Sequence, residues 1–412
     1  MLVQCHKIKI WESFLSFYST SPAVARAILA GVIALFAVWA SAAEEEGESF
    51  HRFWPDNLFA VDFVSEQAGF IAGQAGTILR TTDGGKSWDA LYVGENQLIR
   101  RVSFISDQEG WAVGHRGSIF HTTDAGNSWE IQFEAPGIYL RDINFVDRNH
   151  GWVVGHDATI LHTSDGGASW QAQQMRGFTG RDLPRFHGVY ARDENTAVIV
   201  GEFGTVVHTE DGGELWTITP EVAETTWLAV AEAGDFIYMV GLDGHAAYLT
   251  IASDEQREEF GRAIIERAAK EEAKARKKAK RRKKEYVPKV VEEIPRSSIE
   301  YSFHPIDSGT EENIFDLSAA PDGSVVAVGR STVIRLTSGG AEVIEAATEI
   351  SLDFVWFGGV DVTPEGGIWA AGIRGLVVRG DTSGESISPA LSLGVSDNVR
   401  LVKNRWMANN GQ

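Results

Sequence analysis

A single cysteine, Cys5, stands in a chain of 412 residues, so no intrachain disulfide can form. A cysteine-ligated zinc or iron–sulfur centre is excluded for the same reason, because such sites take several thiolates. Positive charge is also scarce. Lys and Arg number 37 against 57 Asp and Glu, a formal net charge of −20. A body of that sign keeps the protein soluble and argues against nucleic acid as a partner. Long apolar runs are missing too. The run Ala27–Ala40 falls short of the roughly 20 residues that a bilayer-spanning helix needs. It follows Lys7, Lys9 and Arg26 and precedes Ser41-Ala42-Ala43 and an acidic stretch from Glu44. That order reads as a secretory signal peptide over 1–43, cleaved near Ala43, with 44–412 as the exported protein; the alternative is an uncleaved anchor. A compartment such as a bacterial periplasm or a thylakoid lumen suits a mature chain without cysteine.

What the chain has is repetition. The segments Gly76–Trp88, Gly117–Trp129, Ala158–Trp170 and Gly204–Trp216 share the pattern Thr-x-Asp-x-Gly-x-x-Trp, and their Trp residues fall 41, 41 and 46 positions apart. Each period holds several short alternating strands with polar turns, as in Val102-Ser103-Phe104, Gly110–Val113 and Ser118–Thr122. Short strands on a period of about 40–50 residues are the mark of a β-propeller blade. Weaker repeats begin near Leu228, Ile314 and Gly359, so the expected fold is all-β: one seven-bladed propeller of four-stranded antiparallel blades over 44–412. The ring is expected to close with a strand from a terminus, either the stretch before Leu58 or Val399–Trp406. Closure removes exposed sheet edges.

Asp83, Asp124, Asp165 and Asp211 are read as structural. Each is expected to accept hydrogen bonds from backbone N–H groups two residues on, beside a glycine with an unusual backbone angle. Trp88, Trp129, Trp170 and Trp216 fill the widening gap between blades. His121, His162 and His208 recur once per blade, so they cannot converge on a metal; no metal or cofactor site is expected.

The fifth blade is interrupted. Where a turn is due, it inserts 252–297, rich in Ala, Glu, Lys and Arg and free of proline from Asp254 to Tyr286. This predicts a helix with an acidic start and a basic end, the polarity that the helix dipole favours. The basic end carries Lys277, Lys278, Lys280, Arg281, Arg282, Lys283 and Lys284. Such an arm suits anionic lipid headgroups or an acidic protein surface, or it is a solvated charged arm.

Turns between second and third strands share one face with the links between blades. That face gathers Arg100, Arg101, Arg116, Arg141, His156, Arg181, Arg185 and His187. Arg100, Arg141 and His187 start their inner strands at matching positions and are placed around one mouth of the channel. This uneven patch in an acidic protein points to an acidic peptide or protein ligand; the plain alternative is solvated arginine paired with local carboxylates.

The Asp-boxes, with Gly110-Trp-Ala-Val-Gly114 and Gly76-Thr-Ile-Leu-x-Thr-x-Asp-Gly-Gly-x-Ser-Trp88, resemble the photosystem II assembly and stability factor family and the wider bacterial neuraminidase repeats. The resemblance implies a non-catalytic propeller in the lumen or periplasm that helps assemble a membrane complex, docking through an arginine face. The implied partner is a photosystem component or, in a non-photosynthetic bacterium, a membrane complex such as an exporter of the resistance–nodulation–division type. The basic insertion departs from the compact blades of that family. Two other readings are a sialidase-like glycosidase and a purely structural envelope spacer. The first lacks the expected segment near its start, since Phe50-His-Arg-Phe-Trp-Pro55 does not fit, and seven blades exceed the usual six.

Overall fold

The computed structural model describes residues 57–175, 178, 182–281, 299–347, 351–384, 386–391 and 399–401. The expected signal segment 1–43, Arg181, Arg282, Lys283 and Lys284 lie outside them.

Alternation of apolar and polar residues gives short strands, and these form seven separate sheets. Blades 1 to 4 begin with the inner strands Leu58–Phe63, Ile99–Phe104, Leu140–Phe145 and Phe186–Ala191. Blades 5 to 7 begin with Trp227–Ala233, Ile314–Ala319 and Phe357–Val362. In each blade four consecutive strands pair antiparallel, in chain order from the inside outward. The second strands, such as Gly110–Gly114 and Gly151–Gly155, are buried along their whole length because both faces of the blade are covered.

The core is distributed. Among the described residues the buried apolar side chains fall into seven clusters, and each straddles one seam between adjacent blades. The seam between blades 7 and 1 is built like the others. Phe63 stacks on Trp369 at 4.8 Å, and Trp88 meets Trp369 edge-on at 5.9 Å. This corrects the expected closure, because blades 1 and 7 each form all four of their strands from continuous sequence. The C-terminal strand Val399–Leu401 instead adds a fifth, parallel strand outside Trp88–Tyr92.

Side chains on the inner strands also stitch the ring. Asp62 accepts from Phe104 N at 2.6 Å and Ser103 from Phe145 N at 3.0 Å. Asn144 accepts from Ala191 N at 2.8 Å, Ser318 from Val362 N at 3.1 Å and Asp361 from Phe63 N at 2.7 Å. Asp62, bonded to blade 2, and Asp361, bonded across the closing seam, are both half-buried. Burial pushes each carboxyl above its usual range, and Asp361 adds to the rise at Asp62.

The four Asp-boxes share one geometry. Asp124 accepts from Ser128 N at 2.8 Å, Ser128 Oγ at 2.7 Å and Thr122 Oγ1 at 3.0 Å. The N–H acceptance thus reaches four residues on, not two, because Gly126 turns the chain back at φ 79°. Thr122 Oγ1 itself accepts from Gly126 N at 2.9 Å. Asp83, Asp165 and Asp211 repeat the pattern on Ser87, Ser169 and Leu215. Trp129 then lies edge-on to Phe104 at 6.0 Å, in the seam with blade 1. His121 stacks on Trp111 at 4.7 Å and His162 packs on Trp152 at 4.4 Å, each within its own blade. His208 meets Tyr301 of blade 5 at 4.8 Å.

In blade 5 the third strand Ala246–Ile251 ends in the helix Asp254–Arg281, and the fourth strand Tyr301–Ile306 returns after it. Ser253 and Gln256 cap the helix reciprocally: Ser253 N donates to Gln256 Oε1 at 2.8 Å, and Gln256 N to Ser253 Oγ at 3.3 Å. Phe260 is buried and anchors the first turns, whereas Lys277, Lys280 and Arg281 are exposed. Among the described residues no helix is long and apolar enough to cross a membrane.

Two predictions follow from these contacts. Asp124→Ala strips three acceptances from a tight turn and is expected to cost about 1–3 kcal/mol in a urea melt; unchanged stability would refute the structural role. The second concerns pH. The unfolded chain releases the Asp62 proton near pH 4, the folded chain at higher pH. Across that window the folded state binds more protons, so stability falls as pH rises. Asp62→Asn keeps an acceptor for Phe104 N and is expected to flatten that slope, gaining about 1–2 kcal/mol at pH 8; parallel pH profiles for the two proteins would show that Asp62 is ionised when folded.

Candidate functional site

All seven inner strands slip register by one residue at the second position. A bulge bends the strand and re-aims one side chain. The bulge residues are Phe59, Arg100, Arg141, His187, Leu228, Phe315 and Gly358. They ring one mouth of the channel and divide it by chemistry: blades 2 to 4 supply two arginines and a histidine, and the other blades supply apolar groups or glycine. The sequence reading found the cationic part. It missed the apolar part, which aligning the seven inner strands on their second residue would have revealed.

The cations sit close together. Arg100 lies over the Phe59 ring at 5.5 Å, and Phe59 packs on Trp356 at 5.4 Å. Arg141 Nε donates to His156 Nε2 at 3.2 Å. Burial, then Arg141 and Arg101, push Arg100 down to about 10. Burial and the neighbouring Arg185 lower Arg141 as well. Among the described residues neither Arg100 nor Arg141 has a carboxylate within ion-pair reach. His187 is pushed down to about 3 by burial, with Arg141 and Arg100 adding to it. His115 and His156 are lowered by burial and by Arg141. The imidazoles are therefore neutral at neutral pH, while the arginines stay charged.

Arg101 does something else. Its Nη1 and Nη2 each lie 2.7 Å from an Asp316 oxygen, on blade 6 across the channel. Its Nε lies 2.9 Å from Asp142 Oδ1 on blade 3. Burial alone would lower Arg101, but Asp316 and Asp142 reverse this and hold it above its ordinary value. The expected partner-facing role of Arg101 is thus corrected: its three guanidinium nitrogens are consumed in a tie across the ring. The same tie occupies the facing carboxylates. Asp142 also accepts from Ile143 N and Val189 N, and Asp316 from Val360 N.

The remaining candidates are dispersed. Arg116 is exposed in the turn after His115, and no described contact joins its side chain to the mouth. Arg185 is exposed and 3.4 Å from Glu202. With Leu183 and Phe203, both 56 % exposed, it lines a cleft of about 480 Å³ beside the mouth. Tyr139 and Phe354 add exposed aromatic surface on that face. On the opposite face the carboxylates of Asp147 and Glu194 and the His150 imidazole bring ligand atoms within 4.8 Å of one another. Asp147 is already bound by Asn149 N and His150 N, which marks it as a turn.

Removing Arg101 should therefore differ from removing its neighbour. Arg101→Met leaves two buried carboxylates unpaired and is expected to cost about 3–5 kcal/mol. Arg100→Met relieves repulsion and is expected to change stability by less than about 1 kcal/mol. Equal urea midpoints for the two variants would refute the tie.

The family model of the photosynthesis system II assembly factor YCF48 matches residues 52–136 and 130–224, the part that carries the Asp-boxes. No curated protein matches the chain. Among solved structures, YCF48 from Cyanidioschyzon merolae is 17 % identical with a TM-score of 0.57, over 82 % of this chain and 99 % of that one. A YCF48 bound to D1 peptide is 16 % identical with a TM-score of 0.54, over 81 % and 94 %. A GH74 enzyme of Niastella koreensis shares the fold at 10 % identity and a TM-score of 0.57, over 83 % of this chain and 55 % of that one. The chain is a seven-bladed β-propeller whose residues 52–224 match the photosystem II assembly factor family model.

Proposed function

We propose that this protein is a non-catalytic accessory or assembly factor for a membrane protein complex, and that it docks a carboxylate-bearing segment of its partner at the cationic side of the mouth. The observation that carries this reading is the pair Arg100 and Arg141, half-buried, adjacent and, among the described residues, without a carboxylate in ion-pair contact; Asp316 and Asp142 act on Arg100, and Glu202 on Arg141, only from further off. Two guanidinium groups held close against their mutual repulsion gain most from an anion brought by a partner, and their planar forks suit carboxylates. Neutral His115, His156 and His187 supply hydrogen-bonding edges. Exposed Tyr139, Leu183, Phe203 and Phe354 supply apolar contact around the charge. The YCF48 relative bound to D1 peptide is consistent with peptide docking on this type of propeller.

A glycosidase reading, raised by the GH74 fold likeness, is disfavoured by chemistry at the channel. Glycoside hydrolysis needs two available carboxyl groups flanking the bond. Asp142 and Asp316 face each other across the axis, but one guanidinium and several backbone N–H groups hold both. In this proposal the segment 1–43 exports the chain to the periplasm. The basic end of the inserted helix then adds an electrostatic contact with anionic headgroups, since Lys277, Lys280 and Arg281 are exposed and lie several turns from the buried anchor Phe260.

The test pairs wild type with Arg100→Ala/Arg141→Ala, leaving Arg101 in place. The double variant is expected to melt like wild type and to lose capture of the membrane subunit that wild type retains from detergent-solubilised membranes. Arg→Lys at both sites is expected to restore capture in part. Capture of the same subunit with unchanged salt sensitivity by the double alanine variant would overturn the proposal, as would hydrolysis of a polysaccharide by the wild-type protein. The identity of the captured subunit distinguishes a photosystem component from an exporter.

A further inference from the structure

In blades 1 to 4 the turn between the first and second strands closes with the same backbone bond. Val64 N donates to Ala68 O, Ile105 N to Glu109 O, Val146 N to His150 O and Arg192 N to Thr196 O. Positions in these turns can therefore be matched one to one. The residue two places past the start is Glu66, Asp107, Arg148 or Glu194. Its side chain can reach back to the preceding blade. Glu66 Oε1 accepts from Glu365 N of blade 7 at 2.9 Å. Arg148 Nη2 lies 2.7 Å from Glu109 Oε2 of blade 2.

At the seam between blades 3 and 4 the two positions change character. Glu194 stands where blade 3 has Arg148, and His150 stands where blade 2 has Glu109. Asp147 adds a second carboxylate, where blades 1 and 2 have Ser65 and Ser106. One seam thus holds a guanidinium on a carboxylate. The next holds two carboxylates and an imidazole, and among the described residues no Lys or Arg pairs with them. Ligand atoms of Asp147, His150 and Glu194 lie within 4.8 Å of one another. The turn bonds to Asp147 both fall on Oδ1, from Asn149 N and His150 N. Its Oδ2 lies 2.8 Å from His150 Nδ1. Bonds of about 2.0–2.2 Å to a divalent ion set adjacent ligand atoms roughly 3 Å apart, so this pair is spaced as a chelating edge. Glu194 is exposed and makes no hydrogen bond or ion pair among the described residues, which leaves its carboxylate able to close the third side.

We propose that Asp147, His150 and Glu194 bind one divalent transition-metal ion of the zinc type, which ties blade 4 to blade 3 as Arg148 ties blade 3 to blade 2. The occupant is read from charge and from donor chemistry. Where the neighbouring seam carries a cation of the chain, this one carries two carboxylates, and these balance a doubly charged ion. An imidazole nitrogen beside carboxylate oxygens suits zinc and its first-row neighbours, whereas magnesium and calcium favour oxygen alone. The ion takes the place of the hydrogen between Asp147 and His150, and the ring then carries its proton on Nε2. Three protein ligands leave water to complete the shell. The site lies on the face opposite the cationic mouth and does not depend on the docking proposed there.

The probe is zinc chloride, titrated into the full chain and followed by calorimetry and by the melting temperature. One saturable site that raises the melting temperature is expected. His150→Ala and Glu194→Gln are each expected to weaken it by about tenfold or more. Glu194→Arg rebuilds the cation of the preceding seam and is expected to remove the site while the chain stays folded. Asp107→Asn, at the same turn position of blade 2, is expected to leave zinc binding unchanged. Should His150→Ala misfold, Glu194→Gln decides the matter, because that side chain is exposed and its loss disturbs no described contact. No saturable zinc binding by wild type, or wild-type affinity in Glu194→Gln, would overturn the site. Displacement of the zinc by millimolar magnesium would overturn the choice of ion.

Discussion

The ring depends on packing at the seams between blades. A propeller has no central core: each sheet buries both faces against its neighbours, and the gap between twisted sheets widens outward. Large side chains must fill that gap, and Trp88, Trp129, Trp170 and Trp216 do so in four seams. The Asp-box hairpins deliver them, because an aspartate that gathers one backbone N–H and two hydroxyls (one at Asp211, where Leu215 replaces the serine) fixes the turn from which the indole departs. The seam that closes the ring follows the same rule through Phe63, Trp88 and Trp369. Side-chain packing, not a strand exchanged between terminal segments, joins the last blade to the first.

At the channel the strands crowd together, and polar groups take over from apolar ones. The tie of Arg101 to Asp142 and Asp316 joins blade 2 both to its neighbour, blade 3, and to blade 6 across the channel. Directly beside it Arg100 and Arg141 make no ion pair among the described residues. The difference comes from the bulge. It adds one residue to each inner strand, so that adjacent arginines in the sequence serve opposite purposes. One is drawn into a tie across the ring, and the other stays at the mouth beside Phe59.

The blades are also unequal in what they leave open. Blades 2 to 4 place the charge of the mouth, blade 5 carries the helical arm, and blade 4 sets Glu194 where blade 3 has Arg148. A fold built from one repeated unit makes such departures legible, since each position can be compared with six equivalents in the same chain.

The sequence alone determined the repeat, the blade count, the structural part played by Asp83, Asp124, Asp165 and Asp211, and the helix in blade 5. These rest on local patterns: strand alternation, turn chemistry and a fixed period. It also placed Arg100, Arg141 and His187 at one mouth, because equivalent positions in a ring must share a height. It did not separate Arg101 from Arg100, since the aspartates that claim Arg101 lie 41 and 215 residues away and only the closed ring brings them within reach. Nor did it show how the ring closes, or that Glu194 meets Asp147 and His150, because both are settled by which side chains meet across a seam. Contacts between residues distant in the chain carry no local signal, so the tertiary structure alone decided which charges pair within the fold.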